Sequence, residues 1–309
     1  MNQVRAQISI VIPVYNRAGV VGRTLASVVS QCARPLRVVL VDNGSADGSG
    51  DVLRRWACEH SSPDFEVLVL DEPRPGAACA RNCGLRAVDT PWTMFFDSDD
   101  EMLPGHVARV LEAISANPDV DLFGWDVRAV GADGRRRVLP FEPRGLAWHS
   151  LMHGSLSTLR YCARTELFRR AGGWCERLGT WDDIELGCRL LCLQPRVVKL
   201  QGDTGVVVHY SAESVSGPSY AASMEKALMA LREIEKSYGA LGPLSHVRLK
   251  QVILAADCVR DGRPEAAALL ADALSGECSH INRLVYRAAY RFRIAGGRGA
   301  ARLFKPLLR

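Results

Sequence analysis

Residues 8–14, ISIVIPV, form an unbroken apolar run rich in β-branched side chains, and 36–41, 65–70 and 93–96 repeat the pattern. Such runs mark strands covered on both faces. Between them, 20–32, 47–58 and 77–88 carry apolar residues at helical spacing. Strands that alternate with helices predict a parallel sheet with right-handed crossovers. A helix is expected over 104–117 with Pro104 in its first turn. Strands over 121–130 and 136–141 then flank the turn GADGR, a small antiparallel addition. Residues 142–159 are weakly patterned and rich in Gly, Ser and His, which predicts a loop forming a substrate wall. Helices follow over 164–171 and 182–193, and strands over 197–200 and 205–210. Past Ser219 strands cease, helices are expected over 221–238, 246–260 and 264–274, and 281–309 closes the chain as a tail. The pattern thus divides into an α/β domain, 1–218, with a Rossmann-like, mostly parallel sheet, and a helical region, 219–309.

Composition adds little to this picture: 309 residues, 48% apolar and 24% charged, are ordinary for a soluble globular chain. The net charge of +5 matters for where it lies. From Ile281 to the end there are eight basic residues and no acid, interleaved with Leu284, Val285, Tyr286, Tyr290, Phe292, Ile294, Leu303 and Phe304. This basic amphipathic tail predicts contact with an anionic membrane surface rather than nucleic acid, for which the α/β domain has no use. The ten cysteines contain no C-x-x-C and are expected to be reduced and mostly buried. With a short polar start and no apolar run long enough to cross a bilayer, the expected location is cytoplasmic, peripheral at the inner face of the membrane.

The strand over 93–96 ends abruptly in Asp97, Ser98, Asp99 and Asp100. In isolation such a cluster reads as a polar turn capping the next helix. Acids gathered at a strand's carboxyl end are costly unless a cation shares the site, and that end is where open α/β sheets bind ligands. Tyr15, Asn16 and Arg17 after the first strand, and Asp42 to Ser45 after the second, open on the same edge. Tyr15 offers an aromatic face for a nucleobase, Asp42 an acceptor for a ring N–H or hydroxyl, and Arg81 a cation for ribose or phosphate. Neither G-x-G-x-x-G nor a P-loop is present, so metal and side chains must meet a nucleotide's charge.

The ordered set ISIVIPVYNR, VDNGSADGS, GAACARNCG, FFDSDD and GGWCERLGTWDDIELGCRL resembles the family 2 glycosyltransferases over residues 7–216, about two-thirds of the chain. The resemblance implies a GT-A fold. It also implies inverting transfer of a hexosyl or N-acetylhexosaminyl group from a nucleotide-diphosphate sugar, usually UDP, with Mg²⁺ or Mn²⁺. The acceptor is a hydroxyl of a glycan or lipid-linked saccharide. On matching positions, Pro13, Tyr15 and Asp42 hold the base with Asn16 beside them, and Arg81 binds the nucleotide. Asp97, Ser98 and Asp99 form the D-x-D, with Asp97 toward the ribose and as a further metal ligand, Asp99 as principal metal ligand, and His209 completing the metal or diphosphate site. Asp100 is expected to be the local cap. Asp183, paired with Asp182, is the general base; inversion requires one opposite the leaving diphosphate, and a carboxylate at a helix N-terminus stays ionised near neutral pH. Trp174 and Trp181 flank it as platforms for the acceptor sugar.

Two positions depart from the family pattern: Asp182 replaces a commoner Glu, and Asn43 stands where relatives often carry an acid. LRRW at 53–56 is similar to the Q-x-x-R-W of processive synthases but falls in the second helix, where it reads as a solvated face; with no membrane-spanning run either, non-processive transfer is expected. A nucleotidyltransferase would need a glycine-rich loop where PVYNRAG stands. A non-catalytic sugar-nucleotide binder or assembly partner is the alternative, and the retained Asp99 and Asp183 argue against it.

Overall fold

β1 (Ile8–Val14) lies at the centre of the molecule, with Ile8, Ile10 and Ile12 facing one apolar layer and Val11 the other. The computed structural model describes residues 5–202, 205–210, 224–263, 266–275 and 278–308. α1 (Val21–Val29) leads to β2 (Leu36–Asp42), α2 (Ser49–His60) to β3 (Phe65–Asp71), and α3 (Ala77–Ala87) to β4 (Trp92–Phe95). β1 pairs in parallel with β2 and β4, so their carboxyl ends share one edge. Gly84 allows α3 to lie against this sheet, since a Cβ there would stand 2.4 Å from a Val11 methyl.

The seven-stranded sheet has the order β10-β6-β9-β4-β1-β2-β3. β9 (Tyr161–Arg164) runs antiparallel between β4 and β6 (Leu122–Gly124), and β10 (Val197–Lys199) is parallel to β6. The single strand expected over 121–130 is two strands in two sheets. After β6 the buried Trp125 anchors its indole N–H on the Leu159 carbonyl, and β7 (Val127–Val130) joins a second sheet of order β5-β11-β7-β8. Its other members are β5 (Glu101–Met102), β8 (Arg136–Leu139) and β11 (Val206–His209).

α4 (His106–Ala116) begins after a left-handed Gly105, so Pro104 precedes the helix rather than opening it. The expected loop over 142–159 contains α5 (Leu146–His153), bounded by Gly145 and Gly154, both at positive φ. Its Leu146, Trp148 and Leu151 are buried, each against a different neighbour, so no stripe was visible in sequence. α6 (Thr165–Arg170) and α7 (Asp182–Cys192) complete this part. In LRRW, Leu53 and Trp56 face the core and only Arg54 and Arg55 point outward, which corrects the solvated-face reading.

α8 (Met224–Tyr238), α9 (Ser245–Arg260), α10 (Ala266–Leu274), α11 (His280–Ile294) and α12 (Ala300–Phe304) form the helical region. The expected boundary at 218/219 lies outside the described residues. The helices share a core with the α/β part: Leu151 of α5 and Ile184 and Cys188 of α7 pack with Ala227, Leu231 and Leu254. The basic tail is folded: Val285, Tyr286 and Ala289 bury against Leu249 and Val252 of α9, and Phe304 joins them. None of the ten cysteines is in a disulfide, but only Cys79, Cys162, Cys188 and Cys258 are buried, while Cys32, Cys58 and Cys192 are exposed on outer surfaces. Among the described residues no helix is long and apolar enough to cross a membrane.

Candidate active site

The ends of β1 and β4 and the start of α7 face one open cavity of about 1460 Å³. Pro13, Tyr15, Asp97, Ser98 and Asp99 line one part of it, and Trp181, Asp182 and Asp183 another. Tyr15 is 59% exposed and keeps its ring unburied at the rim. Asn16 does not line the cavity: its backbone N–H donates to Ser45 Oγ and its side-chain oxygen accepts from Ala46, stitching the first loop to the second. Asp42 is buried just behind the wall, accepting from the Ser45 N–H at 3.2 Å. Asn43 takes the lining position. Its Oδ1 accepts from Gly76, and its Nδ2 donates to the Glu72 and Arg74 carbonyls, two donations that a carboxylate at this position could not make.

Asp99 is raised above the ordinary carboxylate range, first by burial and then by Asp97, while Arg17 at 3.8 Å opposes the shift. Arg23 donates to the Asp99 carbonyl. Asp100 does not cap the following helix. It is buried, its Oδ1 accepts from the His209 N–H at 2.8 Å, and desolvation pushes it up to about 8. It therefore ties the acidic loop to β11. The His209 ring turns toward Glu101, with Nε2 at 3.5 Å. Among the described residues no group of three His, Cys, Asp or Glu is arranged to hold a metal. Two close carboxylates nevertheless fit a Mg²⁺ or Mn²⁺ that carries a diphosphate, because such ions take one or two protein carboxylates and fill the remaining positions from phosphates and water.

Arg81 connects the two parts of the cavity. One guanidinium nitrogen lies 3.0 Å from Asp97 and another 2.8 Å from Asp182. Its flat face rests 4.5 Å above Trp174, which is itself packed edge-on against Phe95. Trp174 is 2% exposed and absent from the cavity wall, so it supports Arg81 and is not an open platform for a sugar. Trp181 does line the cavity, at the N-cap of α7 with φ 54°, and the Lys250 ammonium lies 4.3 Å from its ring.

Asp182 and Asp183 occupy the first turn of α7, whose Leu186 and Leu190 pack under the sheet. Burial and the neighbouring Asp182 push Asp183 up to about 6, although the Ile184 N–H donates to it at 2.8 Å. Burial also raises Asp182, against the pull of Arg81. An acid at about 6 remains mostly ionised at neutral pH and is well matched to accept a proton. The wall beyond it also holds Lys250, Arg160 and His153, which sequence reasoning did not single out. Lone basic residues on helices and strands carry no local signal.

The model of the family described as glycosyl transferase family 2 matches residues 9–171, more than half of the chain. The chain belongs to that family. The chain is 27% identical over 188 residues to an uncharacterized glycosyltransferase of Haemophilus influenzae, covering 60% of this chain and 62% of the relative. It is 30% identical over 204 residues to the pre-mycofactocin glycosyltransferase of Mycobacterium tuberculosis, covering 60% and 39%. The chain thus spans less than two-thirds of either relative. Its fold is of GT-A type and resembles S. aureus TarS 1-349 in complex with UDP-GlcNAc (TM-score 0.65, 16% identity, 97% of this chain and 90% of that one). It also resembles the mannosyltransferase PcManGT from Pyrobaculum calidifontis in complex with GDP-Man and Mn²⁺ (TM-score 0.58, 20% identity, 98% and 86%). The family match stops short of α7, so Asp182 and Asp183 lie beyond it.

Proposed function

We propose that this glycosyltransferase performs inverting, non-processive transfer of a hexosyl or N-acetylhexosaminyl group from a nucleotide-diphosphate sugar, UDP being the first candidate, to a hydroxyl of a glycan or lipid-linked saccharide. The observation that carries the reading is the position of Asp97 and Asp99 across one cavity from Asp183, with Arg81 paired to acids on both sides. Pro13 and Tyr15 would hold the base at the rim, with Asp42 behind them. Asp99 and Asp97 would hold Mg²⁺ or Mn²⁺, with His209 free to turn from Glu101 toward the diphosphate. The ion's contribution is to neutralise charge on the departing diphosphate. Asp183 takes the proton of the acceptor hydroxyl as the new C1–O bond forms and the C1–O bond to the diphosphate breaks. Trp181 offers the acceptor an apolar face.

Binding of UDP and GDP with Mn²⁺, and nucleotide release from their sugar conjugates, test the reading. Asp99→Ala should abolish Mn²⁺-dependent nucleotide binding; retention of full binding would move the metal elsewhere, and binding without any turnover would restore the non-catalytic alternative.

The tail supplies a second contact. Its outward face carries Ile281, Leu284, Arg287 and Arg291, with Arg302, Leu303 and Leu307 beyond. Exposed leucines among arginines suit an anionic lipid surface, where each basic residue contributes about 1 kcal/mol.

A further inference from the structure

The charged residues of the cavity are unevenly distributed. Asp97, Asp99 and Asp100 gather at the β4 end, whereas Lys250 and Arg160 stand in the wall at the end of α5. Lys250 donates to the Leu151 carbonyl at 2.6 Å, and Arg160 to the Gly154 carbonyl at 3.1 Å. His153, between these carbonyls, has its pKa lowered by burial and then by His149, Lys250 and Arg160, which ties the two cations to one neighbourhood. Arg160 is only 2% exposed, and its remaining contacts are the Leu139 and Pro140 carbonyls.

Among the described residues, neither Lys250 nor Arg160 has a carboxylate within ion-pairing distance. The acids that act on them do so from beyond that distance: Asp183 on Lys250, and Asp126, itself paired with Lys199 at 2.7 Å, on Arg160, while Asp257 is committed to Arg293 at 2.7 Å. Main-chain carbonyls at a helix C-terminus offset only part of two full charges. One N–H of Arg160, at Nε, is buried with no acceptor, and Lys250 uses one of its three donors on a carbonyl. Burial accordingly pulls Lys250 down to about 8 and Arg160 to about 10. Desolvated cations with no carboxylate in direct contact are unfavourable unless a ligand supplies the missing charge. Lys226 adds a third cation at the exposed rim, its stem lying along Gly179.

We infer that the wall beyond Asp183 is a subsite for a phosphate group carried by the acceptor, held by Lys250 and Arg160 with Lys226 at the entrance. The inference rests on the proposed transfer reaction, since it assigns the donor to the acidic side and the acceptor to the basic one. A phosphate ester suits the chemistry: the arginine fork offers paired donors to an oxyanion, and the lysine a mobile point charge. Anchoring it would hold a nearby hydroxyl beside Asp183.

The donor's own diphosphate is the competing source of the same chemistry, and calorimetry on the full chain separates the two. The protein is first saturated with UDP or GDP and Mn²⁺, then titrated with glycerol 3-phosphate. Glycerol 3-phosphate should bind the nucleotide-saturated protein. Lys250→Met should weaken it at least tenfold with nucleotide affinity unchanged, while Lys250→Arg should bind nearly as the parent does. Failure of the parent to bind, equal binding by Lys250→Met, or a matching loss of nucleotide affinity would each overturn the inference. If Lys250→Met lacks the parent's circular dichroism, Lys226→Met decides: weaker glycerol 3-phosphate binding supports the subsite and unchanged binding overturns it. Absence of any nucleotide binding to the parent refutes the transfer reading instead, and the glycerol 3-phosphate arm is then read on the nucleotide-free protein.

Discussion

Asp183 owes its chemistry to its surroundings. Its helix N-terminus and the Ile184 N–H favour the carboxylate, but burial beside Asp182 outweighs them and brings it to about 6. Only the ionised form accepts a proton, so transfer should rise as pH climbs through about 6, above the usual aspartate range; a limb near 4 would mean that burial is not felt during turnover. Asp183→Asn should slow transfer about 10²- to 10⁴-fold while leaving nucleotide affinity intact, as read by nucleotide release and calorimetry. Asp97 and Asp99 were legible because acids that interrupt an apolar run leave a local mark, whereas Asp183 was singled out only through the family resemblance. Asn43 was legible only as a departure, and its cause, two carbonyls from a neighbouring loop, lies about thirty residues away in sequence.

At the scale of elements, the site depends on the chain changing sheets between β6 and β7. Gly124 ends β6 against the Phe141 ring, where a Cβ would stand 2.1 Å from two ring carbons. Gly124→Ala should therefore cost about 1–3 kcal/mol in urea unfolding through overpacking, and an unchanged midpoint would show that the ring moves freely. Long apolar runs and helices with one buried face were readable because each carries its period within itself. α5 was not, since its buried residues face three different neighbours, and β5 and β9 are too short for any period to emerge.

For the whole molecule, docking of the C-terminal helices changes how the tail must be tested. Deleting 281–309 would uncover Leu249 and Val252 as well as remove charge. Substituting Leu284, 66% exposed, and Arg287 by Glu leaves the buried face intact. The double variant should lose co-sedimentation with anionic vesicles while melting at the parent's temperature; unchanged sedimentation would sink the membrane contact. The sequence by itself determined the parallel sheet, the edge on which its loops open and the acids on that edge, because apolar period and chain direction are local properties. Only the tertiary structure decided that Arg81 joins Asp97 to Asp182, that Trp174 lies beneath it, and that Lys250 reaches the cavity from α9. Those pairings join residues 16 to 101 positions apart, and packing of separate elements, not any spacing along the chain, sets which of them meet.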